Sequence, residues 1–430
     1  MVTKQQRHMA IKQRRLATIL FSVAAAATVS FTSAQSMGDD WLAFRGDGSG
    51  GVSAGPAKLD ASENGNLAWR ADMPGKSVAG PIVVDGQVIT TSSAGPDGEK
   101  IFVTALDLKS GIKTWEQSFD ATGRPFCHSS SANAAPTPAS DGKRIVAFFS
   151  SNDLVCLNTA GDLMWYRGLG FEYPKAGNDV GMASSPIIAG DVVVVQVESK
   201  GDSFAAGIDL ESGVTRWRID RPQSSNWSSP LLISRGDGSQ EVVMQSGESV
   251  LAVHPGTGVT SWEIEEGRAT IPSPTSSGGL LMLPGNDLLV LDLVGSDSVQ
   301  SEKEEGADKT SPIEAWRSSK FSPKNASVVA YEDRVYALKG SVLVGGTLRD
   351  GEMRWQERLG SIGSGWATPV VAGNRIYAFD QSGNGVVVED QGESAEVISE
   401  VTLDDGVLGS PAIADGRLII RAKETVYCFE

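Results

Sequence analysis

The sequence predicts an all-β protein folded as an eight-bladed β-propeller, with seven blades as the alternative count if the weakest copies merge. Three observations carry this reading. A short phrase returns along the chain: ALDLKSGIKTWEQ at 105–117, GIDLESGVTRWRI at 207–219 and AVHPGTGVTSWEI at 252–264, with clipped versions CLNTAGDLMWYR at 156–167 and GTLRDGEMRWQE at 346–357. Apolar residues between the copies come in strand-length runs such as Val192–Val197, and beyond the N-terminus no helical period exceeds two turns. Gly is abundant, 49 in 430 residues, as a chain of many short turns requires.

Residues 1–34 read as a secretory signal. Lys4, Arg7, Lys12, Arg14 and Arg15 form a basic leader, LATILFSVAAAATVSF (16–31) an apolar core, and Thr32-Ser33-Ala34 a small-residue site for signal peptidase. The apolar run is short and Ala-rich for a membrane span; an uncleaved anchor is the competing reading. No Cys follows the core, which argues against a lipid-anchored form, and Arg14-Arg15 matches twin-arginine export only weakly. Cleavage would leave a chain beginning near Gln35, in the periplasm or secreted, with no integral membrane span. Loss of five basic residues and no acidic ones takes the formal charge from −16 to −21. So acidic a chain repels phosphate backbones, and nucleic acid is excluded as a natural partner. A monomer is expected.

Residues 35–65 form an N-terminal extension, and 66–430 the propeller. Each repeat opens on a small residue before Pro, then runs strand, tight turn, strand and the recurring phrase. The copies open at Gly80-Pro81, Thr137-Pro138, Ser185-Pro186, Ser229-Pro230 and Ser273-Pro274, and end at Trp115, Trp165, Trp217, Trp262 and Trp316. A Pro-less copy (328–336) ends at Trp355; Thr368-Pro369 opens one without a closing Trp; Ser410-Pro411 opens the last, which stops one strand short at Glu430.

The phrase explains itself chemically. Asp107, Asp209 or Asn158 ends a strand and bonds the turn backbone, and Gly111, Gly213 or Gly258 supplies the positive φ a tight hairpin needs. Asp85-Gly86, Asp141-Gly142, Gly190-Asp191, Gly373-Asn374 and Asp415-Gly416 join the first two strands. Four antiparallel strands joined this way make a blade. One Trp per outer strand is placed to wedge against the next blade, each burial contributing about 2–3 kcal/mol. NLAWRADM (66–73), with Trp69, supplies the strand missing from the last copy, so the chain's two ends share one blade and leave no open sheet edge.

These repeats resemble the pyrroloquinoline quinone (PQQ) enzyme repeat over roughly 66–430. Among its relatives the chain resembles the bacterial exported quinoprotein-like propellers, related to the lipoprotein of the outer-membrane β-barrel assembly machinery. DDWLAFRGDGSGGVS (39–53) resembles their Trp-x-x-Phe-Arg-Gly opening, as do NAAPTPASDGKRIVAFFSSNDLVCLN and SSNWSSPLL. The resemblance implies a quinoprotein alcohol dehydrogenase-like fold. For the quinone-dependent dehydrogenases it also implies adjacent cysteines over the quinone, a Ca²⁺ ion held by carboxylate and amide oxygens, and an Asp base. This sequence has no adjacent cysteines and no carboxylate/Asn cluster matching the metal motif. The expectation is therefore no catalytic residue, no metal and no cofactor, with PQQ and Ca²⁺ as the alternative.

The connections ahead of each first strand converge on one face near the axis. They carry Lys76, His128, Asp179, Asn226, Trp227, Arg268, Asn325 and Trp366. Such a polar and aromatic ring around a channel mouth is where propellers bind ligands, the alternative being that these groups only satisfy loop backbone. With Lys76 and Arg268 as local cations, a protein or small polar ligand with an anionic or polar group is expected there. His128 beside Cys127 has no identifiable partner acid, and His8, His128 and His254 form no Ser-His-Asp pattern. Arg45-Gly46-Asp47 spells an adhesion tripeptide that three residues match by chance. GDGSGG (46–51) and RGDGSQE (235–241) lack the carboxylate series of calcium loops. GSDSVQSEKEEGADKTSP (295–312) reads as a charged loop inserted between the third and fourth strands of its repeat. Cys127, Cys156 and Cys428 have no metal spacing: either Cys127 pairs with Cys156 or all three are thiols. The function expected is an exported, non-catalytic binding or scaffold module. The alternatives are a PQQ/Ca²⁺-dependent oxidoreductase and an outer-membrane protein assembly subunit.

Overall fold

Each repeat forms one antiparallel sheet, and eight such sheets stand around a common axis. The computed structural model describes residues 40–46, 52–53, 66–177, 180–294, 311–363 and 365–430; the leader 1–34 and most of the extension lie outside these. Counted from Gly80, the innermost strands are Ile82–Val84, Ala139–Ser140, Ile187–Ala189, Leu231–Ser234, Thr275–Ser277, Val329–Tyr331, Val370–Ala372 and Ala412–Ala414. Eight blades, not seven, close the ring. Among the described residues, helix is confined to single short turns at Leu169–Glu172 and Ser319–Phe321, and none is long and apolar enough to cross a membrane.

The apolar cores lie between neighbouring blades. One cluster joins Ile82, Ile89 and Val103 of the first blade to Ile145, Ala147 and Val155 of the second. At the rim, the repeated phrase locks each blade to the next. Trp69 Nε1 donates to Leu108 O at 2.9 Å, and the ring lies over Gly111, where a Cβ would meet it at 2.5 Å. Gly111 also has φ of +68°, so glycine is required there twice over. The same docking joins Trp115 to Thr159 O, Trp165 to Leu210 O, Trp217 to Pro255 O and Trp316 to Leu348 O.

The departures from this pattern have local causes. Trp262 faces the blade whose third and fourth strands, Leu288–Asp292 and Ile313–Ser318, flank the 295–312 insertion, and it donates instead to Glu241 Oε2 of its own blade. The insertion thus falls where it is predicted, although residues 295–310 lie outside the described set. Trp355 meets a differently built turn and donates to Asp390 Oδ1. The seventh blade has no Trp at all. Its neighbour, the eighth, offers no turn to dock on, because its third and fourth strands, Thr425–Phe429 and Leu67–Asp72, come from opposite ends of the propeller sequence.

Those two strands pair as predicted, with Trp69 opposite Cys428 and Arg70 opposite Tyr427. Arg421 reinforces the seam from the eighth blade: fully buried, it donates to Thr90 Oγ1 and Ser92 Oγ of the first blade and to Gly75 O. Burial pushes its pKa down to about 9, against the pull of Asp405 and Glu424.

The N-terminal extension enters the axis itself. Trp41 exchanges two backbone bonds with Val83 of the first blade, and Ser140 of the second donates to Leu42 O. Arg45, buried, reaches Thr275 Oγ1 and Pro274 O of the fifth, both at 2.6 Å. Val52–Ser53 then pairs in parallel with Val371 and Ala372 of the seventh. The Arg45 side chain is therefore a bolt across the channel, and the Arg-Gly-Asp tripeptide does not present it to solvent.

Trp69→Ala should lower unfolding free energy by about 3–5 kcal/mol, because ring and docking bond are lost together at the closure. Equilibrium denaturation of the folded chain measures this. A loss below about 1 kcal/mol would mean the seam does not depend on the docked ring.

Candidate functional site

The small residue that opens each repeat has a second role at the axis. Pro at the next position holds most of these residues in extended backbone, and each amide points at the hydroxyl of the following blade. Gly80 N donates to Thr137 Oγ1, Thr137 N to Ser185 Oγ, Ser185 N to Ser229 Oγ and Ser229 N to Ser273 Oγ. Ser273 N continues to Ser327 Oγ, Ser327 N to Thr368 Oγ1 and Thr368 N to Ser410 Oγ. All seven bonds measure between 2.9 and 3.0 Å. The circuit is interrupted only between the eighth and first blades, where a Cβ on Gly80 would sit 2.5 Å from Ser410 O.

This hydroxyl ring lines a cavity of about 460 Å³ on the axis. Phe44, carried on the segment that bonds to both the first and the fifth blades, is part of its lining, together with Trp227, Trp366, His128 and Asn325 and the apolar Val78, Val180, Ile271 and Leu408. No Asp, Glu, Lys or Arg is among the described lining residues. The cavity is aromatic and aliphatic, ringed by neutral hydroxyls.

Four of the sequence-predicted residues are thus brought together: His128, Trp227, Asn325 and Trp366. The Trp227 indole is fixed by donation to Gly181 O at 2.7 Å, whereas Trp366 is 39 % exposed and free of such a bond. His128 Nδ1 lies 2.7 Å from Ser130 Oγ.

Two others turn away from the cavity. Asn226 is buried in the wall, where its amide donates to Glu198 Oε2 and Gln245 O beside the Arg221–Glu198 ion pair. Arg268 is buried and paired with Glu266 at 2.7 Å and Asp287 at 2.8 Å, with a further bond to Leu283 O. It is a strut, not the cation expected at the mouth. Lys76 donates to Ser129 O, next to His128, and partial burial lowers its pKa with Lys423 adding to the shift. Asp179 lies outside the described residues.

The three cysteines are free thiols, so the Cys127–Cys156 pairing is not made. Burial pushes Cys156 and Cys428 up to about 12, and raises Cys127 as well, with Lys76 pulling weakly the other way. A thiol held protonated is a poor nucleophile. Among the described residues no group of three or more His, Cys, Asp or Glu side chains is gathered to hold a metal ion.

The family profile described as "Outer membrane protein assembly factor BamB" matches residues 35–180, 175–281 and 306–430. The chain belongs to this family. No curated protein sequence matches it. Among solved structures, BamB from Moraxella catarrhalis is 16 % identical, with 85 % of this chain and 97 % of that one covered at a TM-score of 0.59. The quinohemoprotein alcohol dehydrogenase from Comamonas testosteroni is 14 % identical over 91 % of this chain and 80 % of that one, at 0.64. A europium-containing methanol dehydrogenase is 13 % identical over 90 % and 89 %, at 0.63. At such identities the structural likeness speaks for the fold alone.

At pH 8, a thiol reagent should modify Cys127 slowly in the native protein and reach Cys156 and Cys428 only after unfolding. Mass spectrometry of the labelled chain decides it. Rapid native labelling of two or more thiols would contradict the burial that holds them protonated.

Proposed function

We propose that this protein is a non-catalytic binding module of the cell envelope, and that it receives part of a partner in the axial cavity. The observation that carries the reading is the cavity's composition: aromatic and aliphatic walls, a ring of hydroxyls, and no charged side chain among the described lining residues. Mostly apolar concave sites with a few placed polar groups suit recognition. General acid–base or nucleophilic chemistry needs a titratable pair within reach, and His128 is the one such group in the described lining.

The dehydrogenases of the same fold favour a different reading, an oxidoreductase loaded with PQQ and Ca²⁺. A shared fold does not bring the activity with it. Ca²⁺ takes six to eight oxygen ligands, carboxylates foremost, and the described lining offers no carboxylate. Nor are there adjacent cysteines to cover a quinone ring. These residues do not fit that cofactor pair. The family description, an assembly factor for outer membrane proteins, favours a protein partner. The basic and apolar leader at 1–34 supports export to the periplasm or beyond, where such a partner would be met.

Affinity capture from envelope extracts with the mature chain should recover a protein whose binding falls at least tenfold, about 1.4 kcal/mol, in Trp366→Ala. Trp366 is exposed, so this variant should keep the wild-type melting temperature. Undiminished capture by Trp366→Ala would place the partner elsewhere on the propeller. Incubation with PQQ and Ca²⁺ should yield no dye-linked alcohol oxidation; turnover above the buffer rate would replace the binding reading with the enzymatic one.

A further inference from the structure

The seven hydroxyls of the axial ring each accept an amide proton, and none of them donates its own proton to a protein acceptor among the described residues. All seven residues are at least nine-tenths buried, and all line the same cavity. A buried O–H without an acceptor is an incomplete bond. The circuit leaves the cavity rich in donors, while its described side chains include no carboxylate to receive them. An ammonium group would find the second lone pairs of these hydroxyls and the amide oxygens of Asn325 and Gln381, but no carboxylate to balance its charge, and it would leave the hydroxyl protons unbonded. The complementary ligand carries acceptors.

The rest of the channel indicates what kind of molecule fits. Trp41, Leu42 and Val52–Ser53 already pair main chain to main chain with the inner strands of the first, second and seventh blades, while Ala43–Gly46 close a tight turn between them. The inner strands thus accept main-chain pairing from a further polypeptide segment. The N-terminal segment bonds to the first blade through Trp41 and to the fifth through Arg45, and so spans the bore with Phe44 in the cavity lining. A second segment entering from the mouth must stop there, so it enters as a chain end. Of the two chain ends, the carboxylate is the acceptor.

Resting on the binding-module reading above, we infer that the axial cavity is a site for the carboxyl-terminal end of an apolar polypeptide. Its carboxylate is taken by ring hydroxyls, and its last side chain packs on Phe44, Trp227 and Trp366. Hydrogen bonds to an ionised acceptor are the stronger kind, and a carboxylate has room for several of them. The Lys76 ammonium, held on Ser129 beside the mouth, adds attraction for an arriving anion. The chain's net negative charge opposes it only over distances that physiological salt screens, about 8 Å. A bare inorganic anion would leave the aromatic walls uncovered, which is why an apolar chain end is the better match.

The test uses the mature chain with three probes: N-acetyl-Leu-Phe as the free acid, the same dipeptide as its carboxamide, and inorganic phosphate. Binding is read from the Trp indole signals in NMR titrations. The free acid should bind at least tenfold more tightly than the carboxamide, and Trp366→Ala should weaken both. Ser229→Ala with Ser327→Ala should bring the acid down to the level of the carboxamide and leave the carboxamide unchanged. The wild-type comparison stands even if that double variant does not fold. Equal affinity for acid and carboxamide would overturn the carboxylate site while leaving the cavity a recognition site. Phosphate competing on equal terms would reassign it to inorganic anions. Absence of binding by all three probes would also overturn it, and the envelope capture with Trp366→Ala would still report on the binding module separately.

Discussion

Eight sheets packed around one axis must bring eight strand entries together where there is little water to bond their backbone. The ring of amide-to-hydroxyl bonds meets that constraint. From Thr137 to Thr368, each opening residue gives its N–H to the next blade's Ser or Thr and offers its own hydroxyl to the blade before. A buried backbone donor left without a partner would cost about as much as a lost hydrogen bond, once per blade. Sheet geometry alone offers these amides nothing, because they sit ahead of the first strand. The hydroxyl type is therefore demanded by closure, which is why Ser and Thr recur there while the neighbouring apolar residues vary.

The rim solves the same problem with apolar means. Docked tryptophans bridge blade to blade over turn glycines, so the propeller is held by a polar circuit at the axis and an aromatic one outside. Where the chain's ends meet, both circuits change. Gly80 replaces a hydroxyl because Ser410 O stands too close for a side chain, and the seventh blade has no Trp because its neighbour has no turn. Arg421 and Trp69 take over the seam. Closure also creates the cavity: the hydroxyls of the polar circuit that joins the blades line it, and the N-terminal segment contributes Phe44 to the lining. Fold and candidate site share the same residues.

Most of the architecture was legible in the repeats. Blade number, the closing strand at 66–73 and the wedging role of the tryptophans follow from spacing and turn chemistry, both local properties. The site was half legible. Trp227 and Asn226 are adjacent in one extended connection, and in extended backbone neighbouring side chains point to opposite sides. One faces the cavity and the other the Glu198 network, which no spacing rule distinguishes. Arg268 looked like a free cation because one of its two carboxylate partners, Asp287, comes from the turn before the third strand of the next blade, and proximity in sequence alone did not show that Glu266 is the other. The hydroxyls were visible as the small residue before each Pro, but their bonding runs between blades about 40–60 residues apart and emerges only once the ring is closed. Phe44 belonged to a recognisable Trp-x-x-Phe-Arg-Gly opening whose place on the axis nothing in the sequence specified.

The central claim is that neighbouring blades are joined at the axis by individual amide-to-hydroxyl bonds. Native-state amide hydrogen exchange on Ser273→Ala tests it most directly, because that change removes the acceptor of one named amide. Exchange at the Ser229 amide should accelerate about tenfold or more, while the Ser185 amide, bonded to the intact Ser229 hydroxyl, keeps its wild-type rate. A Ser229 amide as protected in the variant as in the wild type would contradict the account.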